Sequence, residues 1–117
     1  MTGARGSGAW IAGEIEDWPT MDRMTALLRD AGLRVVVGRY SIRVKDCSHF
    51  LFQEYGGDLG EPQIDADADS VPTMLQEGKL VSDALARAGI RHRFEIYDER
   101  GDLAGYLHHE WPLAGDT

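Results

Sequence analysis

The sequence predicts an α+β domain: two helices packed on one face of a mainly antiparallel sheet, built by internal duplication of a βαββ unit. Three observations predict it. Two apolar stretches carry helical spacing and each is stopped by a glycine. The segments around them alternate apolar and polar residues at the period of half-buried strands. The two halves of the chain also resemble each other. With 117 residues, 43% hydrophobic and 27% charged, the chain is of a size to bury one core without staples.

Residues 1–8 are Gly-rich and read as a flexible N-terminal segment. Residues 9–112 read as a single domain, with halves at about 9–57 and 62–112, followed by a tail at 113–117. Residues 9–16 form a short strand weakened by small residues. The first helix is expected at 18–31, with Asp17 as N-cap, Pro19 in the first turn and Gly32 as the stop. Its face is Met21, Met24, Leu28 and Ala31, with Leu27 beside them.

Residues 33–44 read as one long strand, in which Tyr40, Ile42 and Val44 face inward and alternate with Arg39, Ser41 and Arg43. Lys45 and Asp46 turn the chain, and 47–55 returns with Phe50 and Phe52 inward. Residues 56–62 are a loop by their glycines and proline. Residues 63–69 alternate Ile64, Ala66 and Ala68 against Asp65, Asp67 and Asp69. The second helix follows at 71–88, N-capped by Ser70, with Met74, Gly78, Val81, Leu85 and Ala88 on one face. A glycine there costs about 1 kcal/mol against alanine, which implies close packing. Gly89 stops it. Residues 91–98 form a strand with His92, Phe94 and Ile96 on one side. Residues 99–102 turn, and 103–111 is the last strand, with Leu103, Leu107 and Trp111 as its apolar set and Tyr106 outside.

The duplication rests on two alignments. Residues 11–21 match 64–74 at four positions, including all of Pro-Thr-Met; residues 28–43 match 85–100 at six. The offset grows by four residues inside the helix, about one turn. The order expected is βαββ-βαββ. A rival arrangement is βαββαβ with one appended strand, in which the 63–69 segment does not pair.

Net charge is −8, which argues against a generic nucleic-acid binder or a binder of anionic membranes. No apolar run approaches the roughly 18 residues of a membrane span. The N-terminal residues lack a signal peptide's apolar region. A single cysteine excludes an intrachain disulfide, and the expected location is cytoplasmic. Ten arginines against two lysines and no asparagine fit GC-rich coding and point to a bacterial source. No cofactor is implied.

Few groupings carry chemistry. Asp65, Asp67 and Asp69 open like a calcium loop, but Ser70, Pro72 and Gln76 stand where the loop needs Gly, a non-proline and Glu. Such a strand is more simply a solvated edge. His108 and Glu110 share a strand face, and His49 joins them if both hairpins lie in one sheet, giving a three-ligand metal or catalytic set. Cys47 and His49 are spaced for a thiol nucleophile. The larger signal is the outer sheet face, where Arg39, Arg43, Tyr55, Arg91, Arg93, Tyr97 and Tyr106 collect; Tyr and Arg are enriched where partners dock. The functional expectation is a non-catalytic binding or regulatory module. Its Arg/Tyr/His-decorated face, or the cleft between its halves, holds a protein partner or a small polar ligand, and a homodimer through the same face is allowed. The alternatives are a small enzyme using His49, His108 and Glu110, with or without a metal, and a single-stranded nucleic-acid binder.

Overall fold

The computed structural model describes residues 8–53 and 61–111. The elements are β1 (Ala9–Ile15), α1 (Met21–Asp30), β2 (Val35–Val37), β3 (Ile42–Val44), β4 (His49–Gln53), β5 (Gln63–Ala68), α2 (Val71–Arg87), β6 (His92–Tyr97) and β7 (Leu103–His109). The seven strands form one sheet in the order β2-β3-β4-β5-β1-β6-β7, with every neighbouring pair antiparallel. Both helices pack against the same side. The architecture is α+β, and β5 pairs with both β4 and β1, which removes the rival arrangement. No described helix is long and apolar enough to cross a membrane.

Strand parity decides the core. Ile11 and Ile15 of β1, Phe50 and Phe52 of β4, Ala66 of β5 and Phe94 and Ile96 of β6 point under the helices and are buried. They meet Met24 and Leu28 of α1 and Met74, Val81 and Leu85 of α2. The three phenylalanines form a chain of rings, Phe50–Phe52 at 5.4 Å and Phe50–Phe94 at 5.8 Å between centroids. Gly78 faces this layer as its helical spacing requires. A Cβ there would stand 3.2 Å from the terminal methyls of Ile11 and Leu107, so the missing side chain lets α2 settle onto β1 and β7.

Both helices end as the glycines predict. Gly32 and Gly89 take φ of +88° and +76°, after the cap residues Ala31 and Ala88. Ser70 caps α2 by accepting from the Thr73 N–H. Helix α1 starts later than its sequence implies. Asp17 has φ +55°, the left-handed conformation that Asp tolerates, and Thr20 is the N-cap, accepting from Arg23 N–H at 3.1 Å. The 18–20 segment is thus a corner and not a first turn.

The long strand expected at 33–44 is two short ones. The backbone reverses at Gly38, whose N–H donates to the Ser41 carbonyl at 2.7 Å, and β2 folds back on β3. Tyr40 consequently sits in a turn, 44% exposed, and not in the core. The strand after α1 lies at the edge of the sheet, whereas the strand after α2 pairs with central β1. The aligned segments 28–43 and 85–100 thus share their helix stops and diverge in sheet position.

Candidate functional site

The face opposite the helices is built from the other parity. Residues of this parity line up in rows across the strands. One row is His49, Asp67, Trp10, Tyr97 and Leu103 on β4, β5, β1, β6 and β7. Another holds Leu51 and Asp65, then Ala12, Glu95 and Tyr106 on the strands beyond. A third holds Glu14, Arg93 and His108. Trp10 stacks on Tyr97 with centroids 4.7 Å apart. Tyr106 stacks on His108 at 4.9 Å, and the Arg93 guanidinium lies 5.3 Å from the Trp111 ring centre, within cation–π range.

Two arginines of this face, Arg91 and Arg93, are engaged by carboxylates. Arg93 pairs with Glu14 and lies 3.9 Å from Glu95. Arg91, just before β6, reaches Glu16 at 3.2 Å and Glu110 at 3.5 Å. The Tyr97 hydroxyl donates to Glu95 at 2.9 Å, and that hydrogen bond raises its pKa above the ordinary tyrosine value. Arg43 and Tyr106 lie on the face as expected. Arg39 instead occupies the β2–β3 turn against Tyr40, 5.3 Å from its ring centre. Tyr55 lies outside the described residues.

The set His49, His108 and Glu110 does not assemble. His49 is on β4 and His108 on β7, with β5, β1 and β6 between them; four strand spacings amount to roughly 19 Å. Glu110 has φ +54°, which takes it out of β7 and breaks the parity that would align it with His108. Its carboxylate turns to Arg91 and, at 3.7 Å, to His109. The Cys47–His49 pair fails as well. Cys47 lies in the turn before β4 and packs toward the core, with Sγ 3.8 Å from the Glu77 carbonyl oxygen. Burial, then the charges of Glu77 and Asp46, push the thiol up to about 12. A thiol so placed stays protonated at neutral pH, whereas the reactive form is the thiolate.

His49 finds other company. Its Nε2 lies 3.1 Å from Asp65 Oδ2, and donor atoms of His49, Asp65 and Asp67 all fall within 4.8 Å of one another. Asp69 follows the end of β5 and belongs with Ser70, Asp98 and Arg100 around a separate hollow. Consecutive antiparallel strands commonly pair, so the neighbourhood of β4 and β5 was the signal that could have joined His49 to the aspartates.

The sheet also opens at its middle. Strands β1 and β5 share the register pairs Ala9↔Ala68, Trp10↔Asp67 and Ile11↔Ala66. Beyond these the ladder ends. Its continuation would set Pro62, which has no N–H to donate, opposite Ile15. Ile64 fills the space a side chain at Gly13 would need, with its Cδ1 2.7 Å from that Cβ position. On the bare face the parting leaves a cavity of about 400 Å³ between Glu14, Gln63, Ile64, Arg93 and Glu95. A smaller hollow beside Trp10 and Asp65 continues it. Sequence reasoning missed Trp10 and this opening. Trp10, Ala12 and Glu14 do alternate with Ile11, Gly13 and Ile15, which was the available signal for Trp10.

These features define the class, an α+β domain whose described helices all lie on one face of the sheet, with a parted central seam. No protein-family model, curated protein or solved structure matches the chain.

Proposed function

We propose that this chain is a non-catalytic binding module whose seam cavity takes a small polar ligand carrying an amino or other cationic group. The observation that carries this reading is the cavity itself, bordered by the carboxylates of Glu14 and Glu95 against one guanidinium, Arg93. Asp65 stands at the adjoining hollow beside Trp10. Carboxylates accept charge-assisted hydrogen bonds from a cation, and an aromatic face adds to its attraction. A concave site with a few converging polar groups is the usual form of a small-ligand pocket. The nucleic-acid alternative has less support, because Arg91 and Arg93 each stand against two glutamates, so neither leaves net positive charge for a phosphate. The enzyme alternative loses its residue set, since His49, His108 and Glu110 lie apart.

Ligand-observed NMR with agmatine and spermidine, set against malate and citrate, tests the reading. The amines are expected to bind. Glu95→Gln should weaken them about tenfold, the scale of one charge-assisted hydrogen bond. Ala12→Trp, which places a large side chain on the bare face beside Glu95, should abolish binding while leaving the melting temperature nearly unchanged. Silence from the amines, or binding that Ala12→Trp leaves intact, rejects the cavity as the site.

A further inference from the structure

We infer that His49, Asp65 and Asp67 form a binding site for a single divalent transition-metal ion of the zinc or manganese kind. The inference does not rest on the cavity reading, and its test uses the metal alone.

The donors are one imidazole nitrogen and two carboxylate oxygens, the mixture of borderline and hard ligands that such ions accept. Their placement follows from the sheet. His49 of β4 and Asp67 of β5 are direct partners in the ladder, and Asp65 is two residues along on the same face. Five consecutive register pairs, from His49↔Asp67 to Gln53↔Gln63, hold the two strands, so the three Cα positions are fixed before any ion arrives. Preorganisation of this kind reduces the cost of binding.

Distances agree with the chemistry. An ion with ligand bonds of about 2.1 Å holds its donors roughly 3–3.5 Å apart. His49 Nε2 and Asp65 Oδ2 already stand at 3.1 Å. The widest separation in the trio is no more than 4.8 Å, which a carboxylate rotation of about 1 Å closes. All three residues are half-buried, shielded enough to hold a ligand geometry yet open enough for water to complete the coordination shell.

The electrostatics point the same way. Two aspartates on one face of one strand repel each other, and a divalent ion cancels the charge of both. Asp67 is also the ladder partner of Trp10, so the ion would sit beside an indole whose fluorescence it can perturb.

The experiment is titration of the purified chain with Co²⁺, read by visible absorption and by tryptophan quenching, and with Zn²⁺, read by calorimetry. One ion per chain with micromolar affinity is expected. His49→Ala and Asp67→Asn should each weaken binding by at least about tenfold, as loss of even a supporting group at a metal site does. His108→Ala, an imidazole removed from the same face on β7, should bind as the parent does. Circular dichroism of each variant establishes its fold. Should His49→Ala not fold, Asp67→Asn decides. Absence of stoichiometric binding up to about millimolar metal overturns the inference, as does affinity unchanged in the two ligand variants or lost in His108→Ala.

Discussion

The two faces of the sheet are made from the same strands, and they differ in almost every physical respect. Under the helices, β4, β1 and β6 present Phe50, Phe52, Ile11, Phe94 and Ile96, each at most 4% exposed. One residue away along each strand, the other face presents His49, Trp10, Arg93, Glu95 and Tyr97. The covered face holds the molecule together through area removed from water. The bare face consists of pairs that satisfy one another: Trp10 on Tyr97, Arg93 with Glu14, His49 with Asp65. Histidine makes the contrast sharp. His92 is fully buried; its Nδ1 lies 2.9 Å from the Ile90 carbonyl and its Nε2 2.6 Å from Ser82 Oγ. These contacts suit a neutral ring that donates to the carbonyl from Nδ1 and accepts from the hydroxyl at Nε2. His49, on the other parity, is half-buried among carboxylates. The lesson is that a side chain's chemistry in this fold is set by strand parity before any detail of its neighbours.

The largest effect belongs to the covered face. Phe94→Ala should cost about 3–5 kcal/mol, the usual loss for a buried phenylalanine, because its ring touches both Phe50 and His92. Urea unfolding measures it. A cost below about 1 kcal/mol would break the division of labour between the faces.

An intermediate effect concerns His92. Burial depresses its pKa below 6.5, and the neighbouring His109 and His108 act the same way; the hydrogen bond to the Ile90 carbonyl and the charge of Asp83 oppose them. The folded chain thus keeps the ring neutral while the unfolded chain takes up a proton near 6.5. Stability from this residue is complete above that pH. It is lost as pH falls from about 6.5 toward the lower folded value, at up to about 1.4 kcal/mol per pH unit. Denaturant melts of the parent and of His92→Leu/Ser82→Ala over pH 5–7.5 should differ in slope, the parent losing stability on acidification and the variant losing less. Parallel curves would show that the ring is not held neutral.

The smallest effect is on the bare face. Arg91→Ala removes two exposed ion pairs, to Glu16 and Glu110. It should change stability by less than about 1 kcal/mol, since such pairs are solvated and screened by salt. Calorimetry at low and high salt measures it, with a difference that shrinks as salt rises.

Much of this contrast was readable from residue order. The parity of 49–53, 63–68 and 92–97, the Ser70 cap and the close approach at Gly78 follow from spacing and residue type, which act locally. The break at 38–41 was hidden because Tyr40, Ile42 and Val44 keep strand alternation through the turn, so periodicity registered no interruption. The site was legible only in fragments. His49 and the aspartates carried recognisable chemistry, but their meeting depends on which strands become neighbours. The sequence match between the halves misled at that level. Equal helix stops at Gly32 and Gly89 lead one chain segment to the sheet edge and the other to an inner position beside β1, since sheet order is fixed by contacts far apart along the chain.

The parted seam between β1 and β5 has a mechanical side. Three register pairs bridge two wings, one carrying β2 to β5 and the other β1, β6 and β7, while α2 touches strands of both. On the covered side the helix therefore spans the seam like a splint, so the two wings are tied along their border by three pairs and across it by α2.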